Sequence, residues 1–579
     1  MGLLRAGTRT EPVAATVAGP DTAPAPWYVR RRRWVEAGAF VLAAAALFAI
    51  YLRLSRTVPE NSDQANILLV ASDMLHGNVL LHGWYLTDVS FYTTELPQYA
   101  LLEIFFGVHA NTAHIAAAMT YTLVVLLAVL LARGGFTSRA AVVRLLITAG
   151  ILVAPQLGVG VTALVLTVGH IGTAVPVLLI LLFLDRAPQR RWVPVLTGLG
   201  LAWALVADEL VLVVAVVPLA LACALRVAEA AVRERSVSRG LAARRYELSL
   251  IAAAGVAAGL AWVAERILRA LGGYTLNPVP FTFTLHHITA NLHSLWAVPQ
   301  IFGADYRGLA GGPYYTALLH MVSLAVVGLA LLLLAWRFFA GAALVDQVLG
   351  VAIVANLVLF VVTSAGSEGP HEIAVVAPFG AALAARMLAG PARQPAGDPQ
   401  ATAARMLPGP ARQPAGDPQA TAARTGRVLA RRARAAAGLA GLVVLLGYLG
   451  GLAHDLVQPA APPAFAPVAS WLQAHHLRYG LGGYWESSIV TVQTDGQVKV
   501  RALLKPTLAP DLWLAKPAWY DPAGQQANFV VLSSTPGFMN NWEPRALISK
   551  YFGRPARVYN FGPYTVMVWN RNLLASLPR

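Results

Sequence analysis

The chain has 579 residues, of which 57% are hydrophobic and only 12% charged, with a mean hydropathy of +0.58. A soluble protein of this length carries about a quarter charged residues, so that class is excluded and a polytopic membrane protein is required. The net charge of +16 comes from arginines clustered in short loops between apolar runs, which is a topology signal rather than a nucleic-acid surface, and the single Cys223 excludes an internal disulfide framework.

Residues 1–34 lack the apolar core of a secretory signal and end in VRRRRW, so they read as a disordered basic cytoplasmic tail. Residues 35–453 read as a multi-spanning domain of eleven apolar spans. These lie near 35–53, 112–132, 140–155, 161–184, 193–207, 209–226, 248–268, 314–335, 344–363, 372–388 and 436–453. An N-terminus inside places the arginine-rich loops 133–144, 186–191, 226–245 and 386–434, with Arg337, in the cytoplasm, and leaves few arginines outside. The odd number of spans then puts the C-terminus outside.

The first outer loop, 54–111, is too polar for a span and too aromatic for an idle connection. It carries Asp63, Asp73, Asp88, Glu95, His76 and His82, and its mixed pattern predicts helices lying along the membrane surface. Residues 385–422 hold two copies of a 19-residue unit, ARMLAGPARQPAGDPQATA and ARMLPGPARQPAGDPQATA. This Pro/Ala/Gly-rich stretch cannot bury a core, so 386–434 is expected to be a disordered linker.

From residue 454 the composition changes, and all four lysines lie beyond this point. PVASWLQAHHLR predicts an amphipathic helix, and β-branched alternation around Asp495-Gly496 predicts a hairpin. NFVVLSS, ARVYNF and YTVMVWN predict strands, and EPRALISKYF a short helix. The fold class expected is therefore mainly α, polytopic, with a small extracytoplasmic α/β domain over 454–579.

The unusual polar groups converge on the outer side. They include Asp208 and Glu209 between spans five and six, and His286, His287, His293, Asp305 and Arg307 in the loop 272–313. Glu368, His371 and Glu372 lie in SAGSEGPHE, and His170 in the outer half of span four. Ionisable groups at membrane depth face a cavity or a partner. The histidines lack the i, i+4 spacing of a helical zinc pair, so no metal site is assigned, and a divalent cation held by carboxylates such as Asp63 stays an open alternative. Walker A, G-x-S-x-G and H-E-x-x-H sequences are absent, which removes support for ATP-driven and standard hydrolase chemistry.

The layout, with Asp63 of NSDQAN about ten residues past span one and an outer domain containing WLQAHHLRYGLGGYW (Trp471 to Trp485), resembles the GT-C glycosyltransferases. The likeness is to the protein-mannosyltransferase and aminoarabinose-transferase branch, including bacterial family-39-like enzymes. That resemblance implies transfer of a sugar from a polyprenyl-phosphate donor to a protein, lipid or cell-wall glycan acceptor on the outer side of a bacterial plasma membrane. It makes Asp63 the base that accepts the attacking hydroxyl's proton. Arg307, His170 and His371 would stabilise the leaving phosphate, with Glu368 beside them. Trp84 and Tyr85 would stack on a sugar or anchor the loop, as would Phe91 and Tyr92. The family often places Glu after the Asp. This chain has Gln64, which leaves Asp73, Asp88 and Glu95 as candidates for a second acid. A lipid or glycan flippase and a non-catalytic envelope assembly protein are the alternatives from other classes. No nucleic acid partner is expected.

Overall fold

The computed structural model describes residues 27–134, 139–166, 168–277, 282, 285–389, 438–534 and 544–578, without the side chains of 27–33, 285–287 and 367. The 19-residue repeats beyond residue 389, and nearly all of the linker, lie outside the described residues. The chain divides into two compact units, 1–46 and 47–579. The first contributes the N-terminal part of helix α1 (Trp27–Ser55), whose side chains from Trp34 onward are mostly exposed.

Within the second unit the apolar runs become helices. Among the described residues, eight helices are long and apolar enough to cross a membrane: Trp34–Ser55 of α1, Ala110–Arg133 (α4), Leu212–Arg233, Arg245–Ala270, Gly311–Arg337, Leu344–Val362, Pro370–Leu388 and Gly438–Leu456. The chain is a multi-pass membrane protein. The segments expected as spans three, four and five are shorter helices, Arg139–Leu152, Ala174–Arg186 and Trp192–Ala207. The fourth is interrupted. A π-helical turn over Thr162–Leu166 is followed by the non-helical stretch that holds His170 before the helix resumes at Ala174. A second π turn, Leu212–Val216, follows a break at Asp208. The helix Val376–Leu388 is buried along nearly its whole length against α4, Arg139–Leu152, Gly311–Arg337 and Leu344–Val362. Its Arg386 pairs with Asp185 (2.8 Å) and Asp346 and donates to the Leu131 carbonyl, which ties several helix ends together.

The first long loop forms helix α2 (Ser62–Leu75), strand β1 (Tyr85–Leu86) and helix α3 (Glu95–Phe106). Helix α2 does not lie on a surface: Gln64 to Leu68, Val70 and Ala71 are buried against α3, α4 and the C-terminal domain. Helix α3 has the reversed pattern of a helix facing lipid. Leu101, Ile104, Phe105 and Phe106 are exposed, while Glu95 and Glu103 are buried. Strand β1 pairs in parallel with β2 (Thr275–Leu276), and Tyr85 forms an antiparallel bridge with Ala515.

The C-terminal part of the second unit, the C-terminal domain, is built on a five-stranded mixed sheet. Its strands are β3 (Tyr479–Gly482), β4 (Lys499–Ala502), β5 (Phe529–Ser533), β6 (Arg557–Phe561) and β7 (Tyr564–Val568), in the order β4-β3-β5-β7-β6. The helix Arg545–Phe552 and the helix Ala466–Ala474 fall where the sequence predicts them. The hairpin at Asp495-Gly496 is not formed. YWESSIVTVQ is instead the crossover helix Tyr484–Gln493 between the parallel strands β3 and β4. Asp495 (φ 50°) and Gly496 (φ 74°) make the left-handed turn that ends it. The reason is burial on all sides: Glu486 to Val492 are buried continuously, so β-branched alternation carries no strand information here. One hydrophobic core joins α2 and β1 of the loop to Phe465, Ile489, Val490, Val500 and Phe529 of the domain.

Candidate active site

Helix α2 begins with a capping box. The Asn61 side chain accepts the Asp63 N–H (2.8 Å), and the Gln64 side chain accepts the Asn61 N–H (2.9 Å). This fixes Asp63 in the first helical turn. Gln64 also donates Nε2 to the Leu166 carbonyl at the π turn (3.1 Å), a bond that a glutamate cannot make. The amide in the place of a second acid is therefore a structural element that couples α2 to the interrupted helix.

The Asp63 carboxylate accepts a hydrogen bond from Tyr484 Oη of the crossover helix (2.7 Å). Asn66 Nδ2 donates to the same phenol oxygen (3.2 Å). Burial raises the Asp63 carboxyl above its ordinary value, and the Tyr484 hydrogen bond and the nearby His371 imidazole pull partly against it.

His371 continues the site. Its Nε2 lies 3.3 Å from Glu372 Oε1. The other Glu372 oxygen lies 3.3 Å from His170 Nε2, and His170 Nδ1 lies 2.8 Å from Asp208 Oδ2. Ionised carboxylates only accept, so both ring nitrogens of His170 donate and the ring is an imidazolium clamped between two acids. Asp208 also accepts from Thr173 Oγ1 and from the Leu210 N–H (2.8 Å). The first loop holds this break in place, since the Ser90 and Phe91 N–H groups donate to the Ala207 carbonyl (3.1 and 3.0 Å).

Two of the proposed second acids reach this cluster. Asp88 lies in the field of His170, Glu372 and Asp208, and burial raises its carboxyl. Glu95 packs so closely on Gly172 that a Cβ there would collide with Oε1. Burial pushes Glu95 up to about 7. Asp73 does not join them. Its Oδ2 takes Lys516 Nζ (2.6 Å), Trp84 Nε1 (2.8 Å) and Asn78 Nδ2 (2.5 Å). Burial alone would raise Asp73, but these donors outweigh it and hold the carboxyl below its usual value.

The other expected contacts fall elsewhere. Trp84 is 2% exposed and packs edge-on against Trp519 (5.1 Å between centroids), so it is a joint between loop and domain with no open face for a sugar. Tyr85 is half-buried, and its backbone serves the bridge to Ala515 (2.9 and 3.0 Å). Arg307 is exposed and rests on the Trp296 ring (3.5 Å), with Asp305 bonded to Trp296 Nε1 (2.9 Å). Glu368, Glu209 and His293 are exposed. His76 bonds the Ser72 carbonyl (2.7 Å) and His82 the Gly272 carbonyl (2.6 Å), so the two do not form a ligand pair. The side chains of His286 and His287 lie outside the described residues. Among the described residues no group of three or more His, Cys, Asp or Glu side chains is placed to hold a metal ion.

Sequence reasoning missed Tyr484, Asn66 and the purpose of Gln64. The N-S-D-Q capping pattern was a legible signal for the last. Nothing in the sequence ties Tyr484 to Asp63, 421 positions away.

No family model and no curated protein sequence matches the chain. Among solved structures it is similar to ArnT from Cupriavidus metallidurans in the apo state, with 15% identity and a TM-score of 0.50, over 95% of this chain and all of that one. ArnT from the same organism bound to undecaprenyl phosphate gives 15% identity and a TM-score of 0.49, over 92% of this chain and 97% of that one. The fold is thus GT-C-like, of the ArnT type.

Proposed function

We propose that the protein is a membrane glycosyltransferase that moves a sugar from a polyprenyl-phosphate donor to an acceptor, with Asp63 as base. The orientation assigned from arginine placement puts this site on the outer side, with the N-terminus in the cytoplasm. One observation carries the reading: Asp63 is fixed in the capped first turn of α2, held by Tyr484 of the C-terminal domain and faced by His371. The GT-C-like fold supports it.

In the step proposed, the acceptor hydroxyl oxygen bonds to the anomeric carbon as the bond to the phosphate oxygen breaks. The hydroxyl proton passes to Asp63 and the polyprenyl phosphate leaves. A base raised by burial is closer to neutral pH and so better matched to this transfer. His371 faces Glu372 through Nε2, so its Nδ1–H, present in the imidazolium form, is the donor it would offer the departing phosphate.

The breaks at His170 and Asp208 would also suit a transport path, in which interrupted helices present polar groups at membrane depth. Turnover of a labelled sugar donor in proteoliposomes separates the two readings. The wild type should release polyprenyl phosphate, and Asp63→Asn should lose about 100-fold or more of that rate with an unchanged unfolding temperature. Donor movement across the bilayer without release would favour the flippase. Full activity in Asp63→Asn would remove Asp63 as the base.

A further inference from the structure

A cleft of about 270 Å³ shares no lining residue with the Asp63 cluster. It sits between the end of the α1–α2 connection, the start of α4, the helix Ala466–Ala474 and the C-terminal end of the crossover helix. Its polar wall is Glu60, His109, Asn111, Gln493 and Asp495, and Ala469 and Val492 give it an apolar floor.

The wall is built and not incidental. Glu60 is 4% exposed, faces His114 Nε2 (3.5 Å) and accepts from Gln493 Nε2 (3.0 Å). Gln493 Oε1 keeps no hydrogen-bond partner among the described residues. Asn111 Oδ1 accepts from Arg56 Nη2 (2.6 Å), which leaves the Asn111 NH2 group as its donor. Carboxylates, amides and an imidazole over an apolar floor are groups that bind hydroxyls while a ring face rests below. With two acids in the wall and no lysine or arginine among the lining residues, an anionic ligand is disfavoured. The donor phosphate is therefore not the occupant.

Position gives the cleft its meaning. Tyr484 and Gln493 lie at opposite ends of the crossover helix, nine residues apart, which is roughly 13 Å at 1.5 Å per residue. One end holds Asp63 and the other lines the cleft.

We propose that the cleft is a binding subsite for a neutral or amino-sugar unit of a saccharide acceptor, set back from the reacting hydroxyl. The acceptor role rests on the transferase reading; the binding of a saccharide does not.

The test uses the full chain in nanodiscs, with calorimetric titration of three trisaccharides: neutral mannotriose, cationic chitosan trimer and anionic trigalacturonate. Mannotriose or the chitosan trimer should bind, and trigalacturonate should not. Binding should weaken tenfold or more in Ser470→Trp, which fills the cleft from an exposed lining position, and in Asp495→Ala. It should persist in Asp63→Asn. Absence of binding to wild type, binding that survives both cleft variants, or equal binding of trigalacturonate would each overturn the proposal. If Ser470→Trp lowers the unfolding temperature, Asp495→Ala decides. Failure of the transferase reading shows separately, as saccharide binding without donor turnover.

Discussion

Tyr484 donates its phenol hydrogen to Asp63 across 2.7 Å, joining the crossover helix of the C-terminal domain to the first loop of the membrane domain. The candidate base is therefore held by a domain that the chain adds more than 400 residues later.

Tyr484→Phe tests this coupling. The lost bond favoured the ionised Asp63, so its carboxyl should rise further in the variant. A base must be ionised, so the acid limb of the kcat/KM profile should move to higher pH, and activity at neutral pH should fall while the alkaline plateau is kept. A profile superimposable on that of wild type would show that Tyr484 does not act on the base.

Gln64→Glu addresses the amide that follows Asp63 in the capped first turn of α2. At 1% exposure Gln64 donates to the Leu166 carbonyl and accepts from Asn61. A glutamate keeps the second bond, loses the first and buries a charge beside a carbonyl. The expected cost is about 1–3 kcal/mol in stability, read as a lower unfolding temperature, with no gain in transfer. Higher turnover in Gln64→Glu would instead mark a lost catalytic acid.

Much of this was legible in the sequence and some was not. The long apolar runs form helices because length separates them from strands without context, and β5 and β7 are short β-branched runs buried along nearly their whole length. IVTVQ misled because a helix buried on all sides erases the period that separates helix from strand. The acids and imidazoles of separate loops do meet: His170 with Asp208 and Glu372, and Asp88 and Glu95 near them. Asp73 and Trp84 look identical in sequence to site residues, yet Lys516 and Trp519 claim them, and only the fold brings those partners in.

Trp84→Ala distinguishes a joint from a sugar platform. The indole is buried between loop and domain, so its loss should cost about 3–5 kcal/mol and leave the C-terminal domain open to limited proteolysis. Trp84→Phe should recover part of the packing but leave Asp73 without one donor. A raised KM with unchanged stability would restore the platform role.

His170→Ala leaves Asp208 and Glu372 facing each other with no cation between them. Removing one partner of a buried charge group costs about 3–5 kcal/mol. Adding Asp208→Asn and Glu372→Gln removes the exposed repulsion, so the triple variant should be more stable than His170→Ala alone. Thermal unfolding of wild type, His170→Ala, the Asp208→Asn/Glu372→Gln double variant and the triple variant measures the coupling. Additive losses would mean that the three side chains do not act as one unit.

Glu486 gives the stability of the C-terminal domain a pH dependence of definite sign. It is 1% exposed in the first turn of the crossover helix, its Oε2 has no hydrogen-bond partner among the described residues, and burial pushes its carboxyl up to about 8. The folded state therefore holds a proton that the unfolded chain releases near the ordinary glutamate value. Between these two values the folded state binds more protons, so stability falls as pH rises. The neutral form's contribution is whole at acid pH, declines through neutrality and is lost above about pH 8. The total change is a few kcal/mol, since each tenfold difference in proton affinity between the two states is worth about 1.4 kcal/mol. Glu486→Gln keeps the shape and removes the titration. Its unfolding temperature should match that of wild type at pH 5 and exceed it at pH 9, with the difference growing steadily between. Equal melting curves for the two proteins at pH 9 would mean that the carboxyl reaches water when it ionises.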